Sequence, residues 1–262
     1  MMIMSKARSI LVISALFFVM LINTVSGPAF GQKRVDPKQH LKYQQCLLLT
    51  KTDPDAAFDM ALTWQDLGGG DAAGHCVAAA LVGLKIYSEA ALRFEKLAQS
   101  SRNDAPVRAG ILSQAAQAWL LDNNPERAES VLNAAILLQP TDARLHVDRA
   151  VAYADMKKNA AAIKDLSLAI KHDATLVEGY VFRASAFRRL KKFSAAKSDI
   201  EQALRLDPKH AAGLLERGIL HRLKGNKAGA RQDWLNILKL APGTPAARSA
   251  QSNLENMDVK KP

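Results

Sequence analysis

Small residues return at fixed places every 34 residues in the second half of this chain, and this period constrains the fold more than any other feature. The first column is Ala116, Ala150, Ala184 and Gly218, and the second is Ala128, Ala162, Ala196 and Ala230. A third column is Ala135, Ala169, Ala203 and Ile237, and the fourth is Pro140, Ala174, Pro208 and Pro242. A period of this length indicates one supersecondary unit that stacks on copies of itself. Apolar residues three and four apart predict that the unit is helical.

The second column, placed at the twentieth position of each copy, sets the register of the repeats. The predicted repeats are 37–70, 71–104, 109–142, 143–176, 177–210 and 211–244. We therefore expect an all-α fold, an α-solenoid of about six 34-residue helix-turn-helix repeats. A C-terminal capping helix at 245–258 should cover the apolar face of the last repeat. Residues 99–108 break the period by four residues and predict a longer loop.

The repeat at 177–210 resembles the tetratricopeptide repeat family. The family's aromatic, small, aromatic, small, large, small and proline positions are held by Tyr180, Ala184, Phe187, Ala196, Ile200, Ala203 and Pro208. The resemblance covers essentially the whole chain after residue 31, although the first two repeats are degenerate. His146, Leu214 and Ala174 depart from the pattern, which weakens single contacts. The resemblance implies a non-enzymatic scaffold that binds another protein and needs no cofactor.

The resemblance also implies that the first helix of each repeat lines a binding groove. Its groove positions include Arg144, Val181, Ser185, Arg188, Arg189, Leu215, Ile219 and Arg222. Guanidinium groups beside apolar side chains suit a peptide that carries an acidic group and apolar residues. The lysines and asparagines of the family's carboxylate clamp are not reproduced, so a chaperone-tail receptor is not expected.

The N-terminus has the three parts of a secretory signal. Lys6 and Arg8 precede an apolar run over residues 10–22, and Ala29 and Gly31 fit a signal peptidase site. We expect cleavage after Gly31, which leaves residues 32–262 as the exported chain. An uncleaved membrane anchor is the alternative, but the run is shorter than the ~20 apolar residues that span a bilayer. A bacterial periplasm is the expected location.

Arginines also recur at the repeat period, and an aspartate follows each by sixteen residues. The pairs are Arg149 with Asp165, Arg183 with Asp199, and Arg217 with Asp233. Such arginines could line a ligand groove, or each could clamp the two helices of its own repeat through a bidentate pair. The repeat at 109–142 favours the clamp, because Ala115 and Val131 replace both charged members together.

Charge is distributed unevenly along the chain. Residues 143–244 contain ten more basic than acidic side chains, whereas residues 32–142 contain two more acidic than basic ones. Such a surplus favours an acidic partner. A second functional hypothesis follows, in which the basic half adheres to anionic lipid or to a cell-wall polymer. Export and the lack of a basic-aromatic recognition module argue against nucleic-acid binding.

Two cysteines, Cys46 and Cys76, lie on the first helices of adjacent repeats. An exported chain with two cysteines favours one disulfide, although helix geometry could hold the Cα atoms too far apart. His75 beside Cys76 is the one string that suggests a nucleophile, but adjacent helical residues point about 100° apart. The histidines show no metal-ligand spacing, and we expect neither a metal nor an enzymatic reaction.

Overall fold

The computed structural model describes residues 36–258, so the expected signal peptide at residues 1–31 lies outside the described part of the chain. The described residues form thirteen α-helices and no strand. The helices are α1 (Pro37–Thr52), α2 (Pro54–Asp66), α3 (Gly70–Gly83), α4 (Tyr87–Ser100), α5 (Ala105–Leu121), α6 (Pro125–Leu138), α7 (Ala143–Asp155), α8 (Asn159–His172), α9 (Val177–Arg189), α10 (Phe193–Leu206), α11 (Ala211–Leu223), α12 (Lys227–Leu240) and α13 (Pro245–Asp258). The predicted all-α class is confirmed.

The described chain divides into two compact units, residues 36–196 and 197–258. In the N-terminal unit, α1 packs on α2, α3 on α4, α5 on α6 and α7 on α8, and α9 packs on α8. In the C-terminal unit, α11 packs on α12, and α13 packs on both. Ala247, Ala250 and Leu254 are buried on α13, as expected of a helix that covers the end of a repeat.

The turn from first to second helix has the same backbone in five copies. One residue in each turn has a positive φ: Lys85, Asn123, Lys157, Lys191 and Gly225, with φ of 63°, 60°, 61°, 59° and 79°. A left-handed residue at this place ends the first helix and lets the chain reverse. The second helices then begin with Asn caps in two copies, since Asn124 and Asn226 accept hydrogen bonds from Arg127 N and Gly229 N.

Small side chains allow the helices of a pair to approach closely. The alanines of the first two columns are all buried. The first column contains one glycine, Gly218, and the packing explains why it replaces alanine. A Cβ at this position would collide with the indole of Trp234, which is fully buried on α12. The bulk of Trp234 therefore takes the space that an alanine methyl occupies in the other copies.

The chain between the second and third repeats differs from the expected long loop. Helix α4 continues to Ser100 and α5 begins at Ala105, so only four residues, 101–104, are not helical. The inserted residues extend α5, which is 17 residues long. Pro106 lies in the first turn of α5, where a missing N–H costs nothing. Proline here therefore starts a helix and does not extend a loop.

A disulfide joins α1 to α3 in the N-terminal unit. The Cα atoms of Cys46 and Cys76 are 6.3 Å apart, within the range that a disulfide spans, and both residues are fully buried. This agrees with the predicted bond. Cys46 is the only residue of α1 that is buried, so the bond fixes a helix with little apolar packing of its own.

Within residues 36–258, no helix is both long enough and apolar enough to cross a bilayer.

Candidate interaction groove

Five of the expected groove residues lie on first helices of the N-terminal unit. Arg144 is exposed on α7, and Arg189 is exposed at the end of α9. Ser185 and Arg188 are half-buried, and Arg188 Nη2 lies 3.4 Å from Ser185 Oγ. Val181 is only 4% exposed, so it packs between helices and offers little surface to a ligand.

The remaining three lie on α11, in the C-terminal unit. Leu215 and Ile219 are half-buried, and the carbonyl of Leu215 accepts a hydrogen bond of 3.4 Å from Trp234 Nε1. Arg222 is exposed, and its guanidinium carbon lies 5.9 Å from the centre of the Trp234 ring. These residues form the same kind of mixed basic and apolar surface as those of the N-terminal unit.

The basic character of the groove is moderated by one carboxylate. Asp155 ends α7 at the position that Arg189 occupies on α9. Burial raises the pKa of Asp155, and the positive charge of Arg189 acts in the opposite direction. Arg189 therefore already interacts with an acid of the same unit, and an incoming carboxylate would compete with Asp155 for it.

Two of the recurring arginines form the predicted clamp. Arg149 Nε and Nη2 donate to the two carboxylate oxygens of Asp165 at 2.7 and 2.8 Å. Arg217 does the same with Asp233, at 3.0 and 2.6 Å. Both aspartates are buried. The clamp is confirmed for these two repeats, and these guanidinium groups are committed within the fold.

The third arginine, Arg183, belongs to the N-terminal unit, and Asp199 belongs to the C-terminal unit, so their pairing stays a prediction. Arg183 Nη1 donates to Ser167 Oγ on α8 at 3.1 Å. Arg149 Nη1 likewise donates to Asn133 on α6, at 2.8 Å. These arginines therefore also reach the second helix of the preceding repeat, which lies sixteen residues earlier in each case.

His146 extends the first of these clamps. Its Nε2 lies 3.0 Å from the carbonyl oxygen of Pro140, and its Nδ1 lies 3.8 Å from Asp165 Oδ1. The interaction with Asp165 raises the pKa of His146 despite its burial. Burial acts to raise the pKa of Asp165, but the hydrogen bonds from Arg149, together with the nearby imidazole of His146, outweigh it, and the net shift is downward. His146, where an aromatic residue is commoner, thus places an imidazole that can carry a charge beside Asp165.

A half-buried polar cluster on the first helices was not anticipated from the sequence. His75 Nε2 lies 2.9 Å from Gln114 Oε1, and His75 Nδ1 lies 3.0 Å from the hydroxyl of Tyr43. Burial lowers the pKa of His75, which favours the neutral ring. Next to this group, Ser113 Oγ donates to Asp148 Oδ2 at 2.6 Å. One signal existed, because His75 and Ser113 both fall at the fifth position of their repeats.

No arginine within residues 36–258 donates a hydrogen bond to Asp148, although the charge of Arg144 acts to lower its pKa. Burial raises its pKa to about 6, although hydrogen bonds from Ser113 and Gln117 act in the opposite direction. An aspartate with such a pKa is mostly charged at pH 7 and takes up its proton as pH falls through about 6. Perturbed groups of this kind are enriched at functional sites, but ordinary structural networks produce them as well.

The string of His75 and Cys76 does not supply a free thiol. The sulfur of Cys76 is bonded to Cys46, so it is not a free thiol beside His75. Within the described residues, no group of three or more His, Cys, Asp or Glu side chains could hold a metal ion.

Comparison with known proteins agrees with the repeat architecture. Residues 183–245 match a family model described as tetratricopeptide repeat. A structure of pilF from Pseudomonas aeruginosa is similar to this chain, with a TM-score of 0.58, 16% identity, and coverage of 82% of this chain and 99% of that one. A structure of MamA from Desulfovibrio magneticus RS-1 has a TM-score of 0.54, 15% identity, and coverage of 65% and 94%.

Another MamA structure has a TM-score of 0.52 and 14% identity, and covers 74% of this chain and 99% of that one. No curated protein sequence matches the chain. Identities this low establish a shared fold and nothing about function. The likeness confirms the predicted fold class, an α-solenoid of helix-turn-helix repeats.

Proposed function

Since this chain is a tetratricopeptide repeat protein, we propose that it is a non-enzymatic scaffold whose first-helix groove binds a segment of another protein. Repeats of this kind present extended concave surfaces and generally act in protein interaction. We further propose that the chain is exported and that its partner belongs to a cell-envelope assembly. The N-terminal basic, apolar and small-residue segments support export.

One observation carries the groove proposal. Arg149 and Arg217 are committed to buried aspartates, whereas Arg144 is exposed on the first helix of the same repeat as Arg149. The side chain of Arg144 makes no hydrogen bond or ion pair within residues 36–258. Arg144 is therefore available to a ligand, and Arg189 is exposed but interacts with Asp155, so a ligand carboxylate would compete with that acid.

The chemistry of these side chains defines the partner. Arg144 and Arg189 offer planar donors that suit a carboxylate, and the Ser185 hydroxyl adds a smaller donor. Val151 and Ala154, on α7, are half-buried and supply apolar surface. A segment that alternates an acidic group with apolar side chains matches this surface.

Capture from the native host tests the groove. The R144Q/R189Q variant should lose a partner that the parent chain retains, because both exposed guanidinium groups are removed. The K164Q/K171Q variant is the matched control, since it removes the same charge from exposed positions on the second helix α8. Equal melting temperatures for the three proteins would exclude unfolding. A partner that R144Q/R189Q retains at full yield would contradict the proposal.

Fractionation of the host tests export separately. The parent chain should be recovered in the envelope fraction with its mass reduced by residues 1–31. A variant that lacks residues 2–31 should remain in the cytoplasm. Recovery of the uncleaved parent chain in the cytoplasm would contradict export and leave the groove proposal standing.

A further inference from the structure

Two turns of the N-terminal unit form a basic surface that the groove does not use. The turn between α7 and α8 carries Lys157 and Lys158, and the turn between α9 and α10 carries Lys191 and Lys192. Helices α7 and α9 contact each other and follow one repeat apart, so their C-terminal ends lie at the same edge. We call these four lysines the lysine edge.

The backbone conformation of these turns does not require lysine. Lys157 and Lys191 have φ of 61° and 59°, a left-handed conformation that the Cβ atom of an L-residue disfavours. Asn123 and Gly225 hold the same place in two other copies, and Asn and Gly are the residues that tolerate it. The backbone therefore does not require lysine at this place, although Lys85 holds it in a third copy and a positive charge is favourable at a helix C-terminus.

The fold leaves most of these charges uncommitted. The side chains of Lys157, Lys191 and Lys192 are exposed and make no hydrogen bond or ion pair within residues 36–258. Lys158 Nζ lies 3.5 Å from Glu129 Oε2. Glu129 and Asp155 are the acidic groups beside the edge, while Arg188 and Arg189 in the last turn of α9 add to the positive charge.

Exposed apolar side chains flank the lysines. Leu190 and Phe193 are 39% and 37% exposed, on either side of Lys191 and Lys192. An anionic polymer would be bound through charge alone, and exposed apolar groups would add nothing. A membrane surface uses both, because lysines meet anionic headgroups while apolar side chains enter the boundary of the acyl chains.

We propose that the lysine edge, together with Leu190 and Phe193, binds the surface of an anionic lipid bilayer. The side chains attach at the interface and do not enter the core, since the aliphatic stems of lysine can lie along the apolar boundary with the ammonium groups in the headgroups. None of these six residues belongs to the groove, although Arg188 and Arg189 of the groove adjoin them on α9, so a scaffold could hold a partner while it rests on the membrane.

Sedimentation of the full chain with vesicles tests the proposal. Vesicles of phosphatidylcholine alone are compared with vesicles that also contain phosphatidylglycerol. Each lysine near an anionic surface contributes about fivefold in partitioning, so K191Q/K192Q should bind the anionic vesicles about 25-fold more weakly. The apolar run at residues 10–22 is identical in all variants and contributes equally to each.

Two controls make the result decisive. K164Q/K171Q removes the same charge from α8 away from the edge and should change anionic binding by less than about fivefold. F193S should weaken vesicle binding but leave binding to soluble dextran sulfate unchanged. Equal losses in K191Q/K192Q and K164Q/K171Q would overturn the assignment to this edge. Lysine-dependent binding of dextran sulfate without any vesicle binding would overturn the assignment to lipid.

Discussion

Two buried aspartates on neighbouring helices, Asp165 on α8 and Asp148 on α7, meet opposite electrostatic surroundings. Asp165 is 4% exposed and accepts two hydrogen bonds from the guanidinium of Arg149. Asp148 is 9% exposed and accepts a hydrogen bond from the neutral hydroxyl of Ser113. Burial pushes both pKa values upward, yet the pKa of Asp165 falls and that of Asp148 rises to about 6.

The difference shows that burial does not decide what a carboxylate does for stability. A cation in bidentate geometry makes the charged form of Asp165 the favoured one, so the pair holds α7 to α8. Neutral donors form hydrogen bonds with Asp148, but these bonds do not offset the free-energy cost of removing its charge from water. At neutral pH, Asp165 should therefore stabilise the fold and Asp148 should destabilise it.

Removal of Asp165 should give the largest effect. Asp165→Ala leaves the largely buried guanidinium of Arg149 without its partner, and we expect the free energy of unfolding to fall by about 3 kcal/mol. Urea denaturation at pH 7.5 measures this. Asp233→Ala is the matched variant in the C-terminal unit and should cost less, because Arg217 is 41% exposed and can recover hydration. A larger loss for Asp233→Ala would break the comparison.

Neutralisation of Asp148 should act in the opposite direction. Asp148→Asn keeps an oxygen that accepts from Ser113 and removes the buried charge, so the free energy of unfolding at pH 7.5 should rise by about 2 kcal/mol. The folded pKa of Asp148 is raised above its unfolded value, so its contribution to stability is present at pH 4 and is lost as pH rises through 6. The gain in the variant should therefore vanish near pH 4. A destabilised variant at pH 7.5 would show that the charge of Asp148 is needed by the fold.

An apolar transplant sharpens the comparison further. R149A/D165V places in this repeat the pair Ala115 and Val131 of the preceding one, which are both buried. Replacement of a buried ion pair by apolar residues is often close to neutral, so the double variant should unfold within about 1 kcal/mol of the parent. A double-mutant cycle with the two single variants gives the coupling. Additive losses would mean that the two side chains do not act as a pair.

The smallest effect should be the titration of His146. Its pKa is raised by Asp165, so its contribution is fully present below the unfolded value near 6.5 and is lost as pH rises through the folded value. The parent should therefore lose stability above about pH 6.5, relative to H146Q, in a window distinct from that of Asp148. Identical slopes for both proteins above pH 6.5 would exclude an ionic contact between His146 and Asp165.

The sequence predicted those contacts that recur at a fixed offset within one repeat. Arg149 with Asp165 and Arg217 with Asp233 were visible because both members repeat and both vary together. The contact between Ser113 and Asp148 joins different repeats and occurs once, since Gln114 holds the place of Asp148 one period earlier. Comparison of the repeats with one another therefore could not reveal the contact between Ser113 and Asp148.

Burial of single groove residues was equally hidden. Val181 and Ser185 lie four residues apart on one helix, yet the first is buried and the second is partly accessible. Which of them faces a neighbouring helix depends on the side chains that the adjacent repeat supplies. The long loop predicted near position 104 was wrong for a different reason, because proline can begin a helix as well as interrupt one.

The bond between Cys46 and Cys76 also determines how the chain carries tension. A pull on the residues before α1 passes from Cys46 directly into α3, since the covalent bond is shorter than the path through residues 47–75. Helix α2 lies wholly within that path and bears no load while the bond is intact. A partner or anchor that pulled on the N-terminal end would therefore strain α3 and the repeats after it, and α2 would stay slack.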